Sequence, residues 1–372
     1  MTIDRRTFLG ASLAMTAAGS APAWAATPPT RSLKILMLGG TGFLGPHTVS
    51  YALERGHEVT LFNRGRTNAD MFPGLEKLVG NRDPNVDAGL TALQDGRWDA
   101  VIDTSGYVPR MVDASAQLLA DKAEQYLFVS TICQYDNWLE GPDHGTEDRP
   151  RGRIDDPTSE DVQAFYCELK GYCEEAVETR LPGRVTQIRP GLIVGPRDGT
   201  DRFTYWPTRA MRGGEMLAPG KPTDLTQYID VRDLAAFMVH CLEQNLTESY
   251  NLVRPPMPFG ELLDACADVA DNDVSMTWVP AEFLAEQDVQ SWRELQVWVD
   301  SDGPRSGSLT WSPNRALAAG LTIRPVTETV RDTLAWFQSL PDERRATLRS
   351  GLSAERERAV LDAWRAASAD PA

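Results

Sequence analysis

The sequence predicts an α/β chain, a doubly wound parallel sheet followed by a smaller C-terminal lobe. Three observations predict it. Short apolar runs alternate with helical stretches between residues 33 and 190. The first run is interrupted only by Lys34 and ends on glycine, as a strand buried on both faces does. After Pro190 the alternation fades, and Pro196, Pro207, Pro219, Gly220 and Pro222 punctuate a lobe built differently.

The elements follow in order. Strands are expected at 33–38, 58–62, 76–79, 98–102, 126–130 and 185–189. Helices are expected at 46–54, 87–94, 111–120 and 158–180. Residues 33–190 thus form the first domain and 191–340 the lobe, from which a helix at 230–242 returns to the first domain. The tail, 341–372, reads as surface helices without chemistry. At the other end, Arg5 and Arg6 precede a weakly apolar stretch, and Ala23-Trp24-Ala25 supplies a small-x-small cleavage pattern. Residues 1–25 resemble a twin-arginine signal peptide, followed by a linker at 26–32. This implies export to the periplasm or beyond, with no membrane attachment once the signal is cleaved.

Composition narrows the partners. Of 372 residues, 42% are apolar and 24% charged, ordinary for a soluble globular protein. A net charge of −16 repels phosphate backbones and argues against nucleic acid. The five cysteines are odd in number and no pair has metal-ligand spacing, so reduced, structural cysteines and no metal are expected.

The chemistry begins at the first strand's end, Gly39-Gly40-Thr41-Gly42-Phe43-Leu44-Gly45. Glycines between a strand and a helix let the backbone turn tightly and approach a pyrophosphate, and the helix N-terminus offers free N–H groups. Pro46 suits the helix's first turn. This is the Rossmann dinucleotide turn, and Gly39, Thr41, Gly42, Phe43, Leu44 and Gly45 are its expected cofactor contacts. At the end of the second strand, neutral Asn63 stands where a carboxylate would take the ribose 2′-hydroxyl of NAD, and Arg64 and Arg66 follow. Two guanidiniums suit a 2′-phosphate, which favours NADP, with NAD possible. Thr104-Ser105-Gly106 after the fourth strand and Pro190 after the sixth line the same edge.

Tyr166 and Lys170 lie four residues apart inside the helix before the sixth strand, hence on one face. A nearby ammonium is expected to lower the phenol's pKa, so that Tyr166 can exchange the substrate hydroxyl proton while nicotinamide exchanges a hydride. A hydroxyl at the end of the fifth strand, from Ser130 or Thr131, would hold the substrate oxygen; the two point to opposite faces.

With these motifs in this order, the chain resembles the extended short-chain dehydrogenase/reductases, the NAD-dependent epimerases and dehydratases, over about residues 33 to 340. Gly39, Gly42 and Gly45 match the family's glycines, Tyr166 and Lys170 its active-site pair. The segment 130–135 looks like the family's hydroxyl strand end, where the catalytic hydroxyl four residues before the tyrosine selects Thr131. Arg189-Pro190, Val194-Gly195-Pro196 and the run from Tyr228 to Asp233 look like further family segments. The resemblance implies a homodimer formed through helices flanking the sheet, and a small-molecule substrate. Three departures qualify it. Ile132 and Cys133 stand where the dehydratases carry Asp and Glu, which argues against dehydration. Thr104-Ser105-Gly106 replaces an apolar-Ala-Ala segment. Thr226 replaces the arginine that holds a nucleotide diphosphate in the epimerases, leaving Arg202, Arg209 or Arg212 to substitute. The lobe offers Arg202, Tyr205, Trp206 and Arg209 as substrate contacts.

The expectation is therefore an NAD(P)-dependent oxidoreductase or epimerase acting on a hydroxyl/carbonyl of a small, sugar-like molecule. Export favours a redox-neutral cycle, because a dissociated cofactor would not be re-reduced outside the cytoplasm. The alternative, a non-catalytic NADP-binding protein of the same fold, leaves the Tyr166/Lys170 pair without a purpose.

Overall fold

The computed structural model describes residues 29–140 and 144–369. The expected signal peptide, 1–25, and the start of the linker lie outside the described residues.

β1 (Lys34–Leu38) leads through the glycine turn into α1 (Leu44–Glu54), and β2 (Glu58–Asn63) and β3 (Glu76–Val79) follow. β4 (Trp98–Asp103), α2 (Pro109–Leu119), β5 (Ala123–Val129), α3 (Val162–Arg180) and β6 (Val185–Pro190) complete the first domain. Each strand–helix–strand unit returns parallel, and one seven-stranded sheet results. Its order is Ser249–Leu252, β6, β5, β4, β1, β2, β3, so the chain switches direction beside β1 and β4. At such a point the carboxyl ends of adjacent strands leave a crevice.

Both faces of the sheet are covered, which explains the apolar run of β1. Ile35 and Met37 project into a core shared with Val49 and Ala52 of α1 and with Leu234 and Met238 of α5 (Val231–Glu243). Leu36 and Leu38 project the other way, onto Val112 and Ala116 of α2 and Val177 of α3. The expected return of 230–242 is thus α5 packing on the sheet beside α1. Asp230 caps it, accepting from the Arg232 N–H at 2.9 Å.

The structure corrects three expectations. No regular α-helix forms at 87–94: Asp87 and Gly89 take positive φ, and only a short 3₁₀ turn at Thr91–Leu93 remains. The lobe returns a strand as well as a helix, since Ser249–Leu252 pairs with β6 as the sheet's edge. The tail is more than a surface feature. Val360 and Leu361 of the helix Ala354–Ala369 belong to the lobe's core with Trp206, Phe259 and Met216, and Glu357 is buried. That core sits between α4 (Tyr205–Met211), α6 (Phe259–Ala270) and the parallel pair Gly214–Pro219 and Val274–Val279.

Candidate active site

A cleft of about 890 Å³ opens where β1, β2, β4, β5 and β6 end, with the lobe on its far side. The glycine turn forms one end. Gly39 has φ +111°, and a Cβ there would meet Thr104 Oγ1 at 2.7 Å. A Cβ on Gly45 would lie 2.5 Å from the Gly40 backbone, so close packing of helix on turn excludes a side chain. A Cβ on Gly42 would meet nothing within 4 Å. α1 has no side-chain cap, so no capping side chain occupies its first N–H groups. A bare turn, an uncapped helix start and an open face at Gly42 fit a dinucleotide pyrophosphate.

Asn63 serves the turn itself. Its Nδ2 donates to the Gly39 carbonyl at 3.2 Å, and its Oδ1 accepts from the Gly65 N–H at 2.9 Å. Arg64 and Arg66 are exposed at the cleft's rim, and neither forms an ion pair among the described residues. Thr41, Phe43, Leu44, Thr104, Ser105 and Pro190 also line the cleft. Gly106 does not; its carbonyl faces Lys170 instead.

Sequence reasoning missed the residues after β3. Asn81, Arg82 and Asp83 line the cleft beside the turn. Arg82 is held bidentately by buried Asp103, at 2.7 and 2.9 Å, and Tyr126 donates to the same carboxylate at 2.8 Å. The available signal was positional: polar residues directly after a parallel strand emerge at the carboxyl edge.

Tyr166, Lys170 and Thr131 all line the cleft. The Thr131 hydroxyl lies close enough to the Tyr166 phenol to favour its ionised form. Thr131 Oγ1 also accepts from the Cys133 N–H at 3.2 Å. Ser130 points the other way, buried beside Glu174. Lys170 is buried and donates to the Gly106 and Val129 carbonyls, both at 2.6 Å, which leaves one of its three N–H bonds uncommitted to the protein. Its Nζ lies 5.2 Å from the Tyr107 ring centroid, and that ring is 6.3 Å from the Tyr166 ring.

The electrostatics differ from the sequence expectation. Burial pushes the Tyr166 phenol up to about 12, and the cation acting against that rise is Arg202. Lys170 gives two of its N–H bonds to backbone carbonyls, yet burial still pushes its ammonium down to about 8. In the protein alone the pair does not produce a low-pKa phenol, because desolvation outweighs the neighbouring charge.

A second correction concerns the cysteines. Cys133 and Cys167 form a disulfide with Cα atoms 5.1 Å apart, while Cys173, Cys241 and Cys266 are free and buried. The bond joins the residue two past Thr131 to the one after Tyr166. It staples the loop after β5 to the start of α3, where Phe165 interrupts the helical backbone. Spacing along one helix could not reveal it, because the partner lies on another element.

Of the arginines expected to contact substrate, only Arg202 lines the cleft. Arg209 Nε reaches both oxygens of Glu357 at 2.6 Å, and Arg212 meets the same carboxylate at 3.1 Å. Tyr205 and Trp206 are core residues, the indole donating to the Gln296 carbonyl at 2.8 Å. Thr226 is buried and donates to the Val297 carbonyl. Gln227, Trp292, Ser308 and Leu309 of the lobe and Trp138 of the first domain also line the cleft, and none was legible as a site residue in the sequence.

The model of the NAD dependent epimerase/dehydratase family matches residues 35–252. The chain belongs to that family. Among its relatives is the human epimerase family protein SDR39U1, 28% identical over 57% of this chain and 71% of that protein. The Arabidopsis thaliana chloroplast stem-loop binding protein of 41 kDa b is 26% identical over 78% of this chain and 77% of its own length. The fold is shared with the Thermus thermophilus UDP-glucose 4-epimerase crystallised with NAD. That structure has a TM-score of 0.56 and 19% identity, and the match covers 83% of this chain and all of the epimerase.

Proposed function

We propose that this family member is an NAD(P)-dependent oxidoreductase or epimerase acting on the hydroxyl/carbonyl of a small, sugar-like molecule. One observation carries the reading: Tyr166, Thr131 and Lys170 share a single cleft with the glycine turn. When bound, nicotinamide supplies or accepts the hydride. Tyr166 exchanges the substrate hydroxyl proton, and Thr131, lining the same cleft, holds the substrate oxygen. Lys170, fixed by two carbonyls, would use its remaining N–H to hold the cofactor and would bring positive charge that favours phenolate. Dehydration is disfavoured: Ile132 is apolar and Cys133 is held in a disulfide, so neither serves as an acid or base. Arg64 and Arg66, without a carboxylate partner among the described residues, favour NADP over NAD.

Export is part of the proposal, and the N-terminal residue of the protein recovered from its native host tests it. The function itself is tested with the purified protein and both cofactors, by nucleotide release on denaturation and by fluorescence titration. The expected result is a nicotinamide nucleotide bound at micromolar Kd or tighter. Tyr166→Phe should keep that Kd within about twofold and lose turnover by 10²-fold or more. Protein that binds neither NAD(H) nor NADP(H) contradicts the proposal. Tyr166→Phe with full turnover leaves a nucleotide-binding protein whose tyrosine is idle.

A further inference from the structure

One charged side chain at the reacting end of the cleft, a substrate contact the sequence offered, has no partner group assigned to it so far. Arg202, just before α4, lines the cleft with Tyr107, Tyr166, Gln227 and Trp292. Its Nε donates to Thr200 Oγ1 at 2.9 Å, and that hydroxyl donates to Asp198 Oδ1 at 2.6 Å. The relay fixes one edge of the guanidinium. The two terminal nitrogens make no hydrogen bond or ion pair among the described residues. Asp198 acts on Arg202 from a distance without forming an ion pair, and burial costs the cation part of its solvation. A half-buried guanidinium with its planar fork free is a receptor for a bidentate oxyanion.

Other cations do not compete for this role. Arg209 and Arg212 are locked onto Glu357, and Lys170 is committed to two carbonyls. We propose that Arg202 binds an anionic oxygen group of the substrate, a carboxylate or a phosphate, set within a few atoms of the hydroxyl that Tyr166 serves. The substrate class is thus a sugar acid or sugar phosphate, not a neutral sugar. The proposal rests on the oxidoreductase reading and narrows it. Arg202 lines the same cleft as Tyr166 and Tyr107, which is why the anion belongs near the reacting carbon and not at a remote end.

The overall charge makes the test discriminating. A net charge of −16 repels anions in general, so any anion preference must come from a local site. The probes are D-glucose, D-glucuronate and glucose 6-phosphate, titrated calorimetrically into the protein saturated with NADP⁺ at constant ionic strength. At least one anion should bind tenfold or more tightly than glucose, and the stronger of the two distinguishes carboxylate from phosphate. Arg202→Gln should abolish the preference with cofactor Kd unchanged, and Arg202→Lys should retain part of it, a point charge without the fork. Arg202→Met, of similar length, replaces the amide variant if that one does not fold. Equal affinity for glucose and both anions, no binding of either anion, or a preference that survives loss of the guanidinium overturns the proposal. So does a variant whose only change is a shifted pH profile of turnover, which would assign Arg202 to Tyr166 ionisation. Wild-type protein without cofactor affinity would instead sink the oxidoreductase reading itself.

Discussion

The two ends of the cleft are made differently. The cofactor end is largely backbone from one short segment, the glycine turn, with Asn63 holding it by a hydrogen bond to the Gly39 carbonyl. The substrate end is side chains from scattered places: Trp138, Arg202, Gln227, Trp292 and Ser308. A backbone cradle is specified locally, by residues that must lack a Cβ or start a helix. A side-chain pocket is specified only by the packing of the whole lobe. The cofactor end should therefore fail abruptly at single positions, and the substrate end should respond to whatever fixes its frame.

The largest contrast lies within the turn. Gly45→Val drives a branched side chain into the Gly40 backbone, which leaves a Cβ only 2.5 Å. It should abolish detectable nucleotide binding and cost several kcal/mol of stability, as overpacking against rigid backbone does. Gly42→Ala meets no protein atom within 4 Å and should leave stability unchanged, while weakening nucleotide binding about tenfold by crowding the pyrophosphate. Chemical denaturation and cofactor titration of both variants check this pair. Equal effects at the two positions would break the cradle account.

The disulfide tests the frame of the other half. It closes a loop over a sequence separation of 34 residues. In the chain-entropy description its loss costs up to about 4 kcal/mol. Reduction with dithiothreitol, or Cys167→Ser, should lower unfolding stability by that order and reduce turnover more than cofactor affinity, since the bond joins the neighbours of Tyr166 and Thr131. Equal loss in both readouts would mean the staple serves the whole fold.

Lys170 stands between the halves, and its burial predicts a pH signature. The folded protein holds this ammonium at about 8, below its ordinary value of 10.5. Between those values the unfolded chain keeps a proton that the folded one has released, so Lys170 makes stability rise with pH across that window. The contribution approaches about 3 kcal/mol. Lys170→Met should flatten the rise between pH 8 and 10.5 in denaturant titrations at fixed salt. An unchanged slope would place the charge elsewhere.

The smallest effect belongs to the rim. Removing Arg64 and Arg66 together should weaken NADP about tenfold and leave NAD within twofold, measured by fluorescence titration. Equal weakening of both would reduce the two arginines to general attraction for phosphates.

What the sequence disclosed follows the same division. Periodicity revealed six strands, most plainly β1, an apolar run buried on both faces. It missed Ser249–Leu252, an edge strand of four residues with Ser and Asn in it. The glycine turn and the Tyr–Lys spacing were legible because both are local. The ionisation of Tyr166 was not, since it depends on burial and on Arg202, which approaches only when the lobe folds. The Cys133–Cys167 bond and the capture of Arg209 by Glu357, separated by 148 residues, were hidden for the same reason.

The central claim is that the phenol of Tyr166 stands over the reactive face of a nicotinamide held by the glycine turn. A crystal structure of the protein soaked with NADP⁺ measures this directly. The account predicts the pyrophosphate on the 39–45 turn, the ribose hydroxyls at Lys170, and the Tyr166 hydroxyl beside the nicotinamide ring with Thr131 in reach. A bound nucleotide whose ring points away from Tyr166, with that hydroxyl remote from it, would contradict the account.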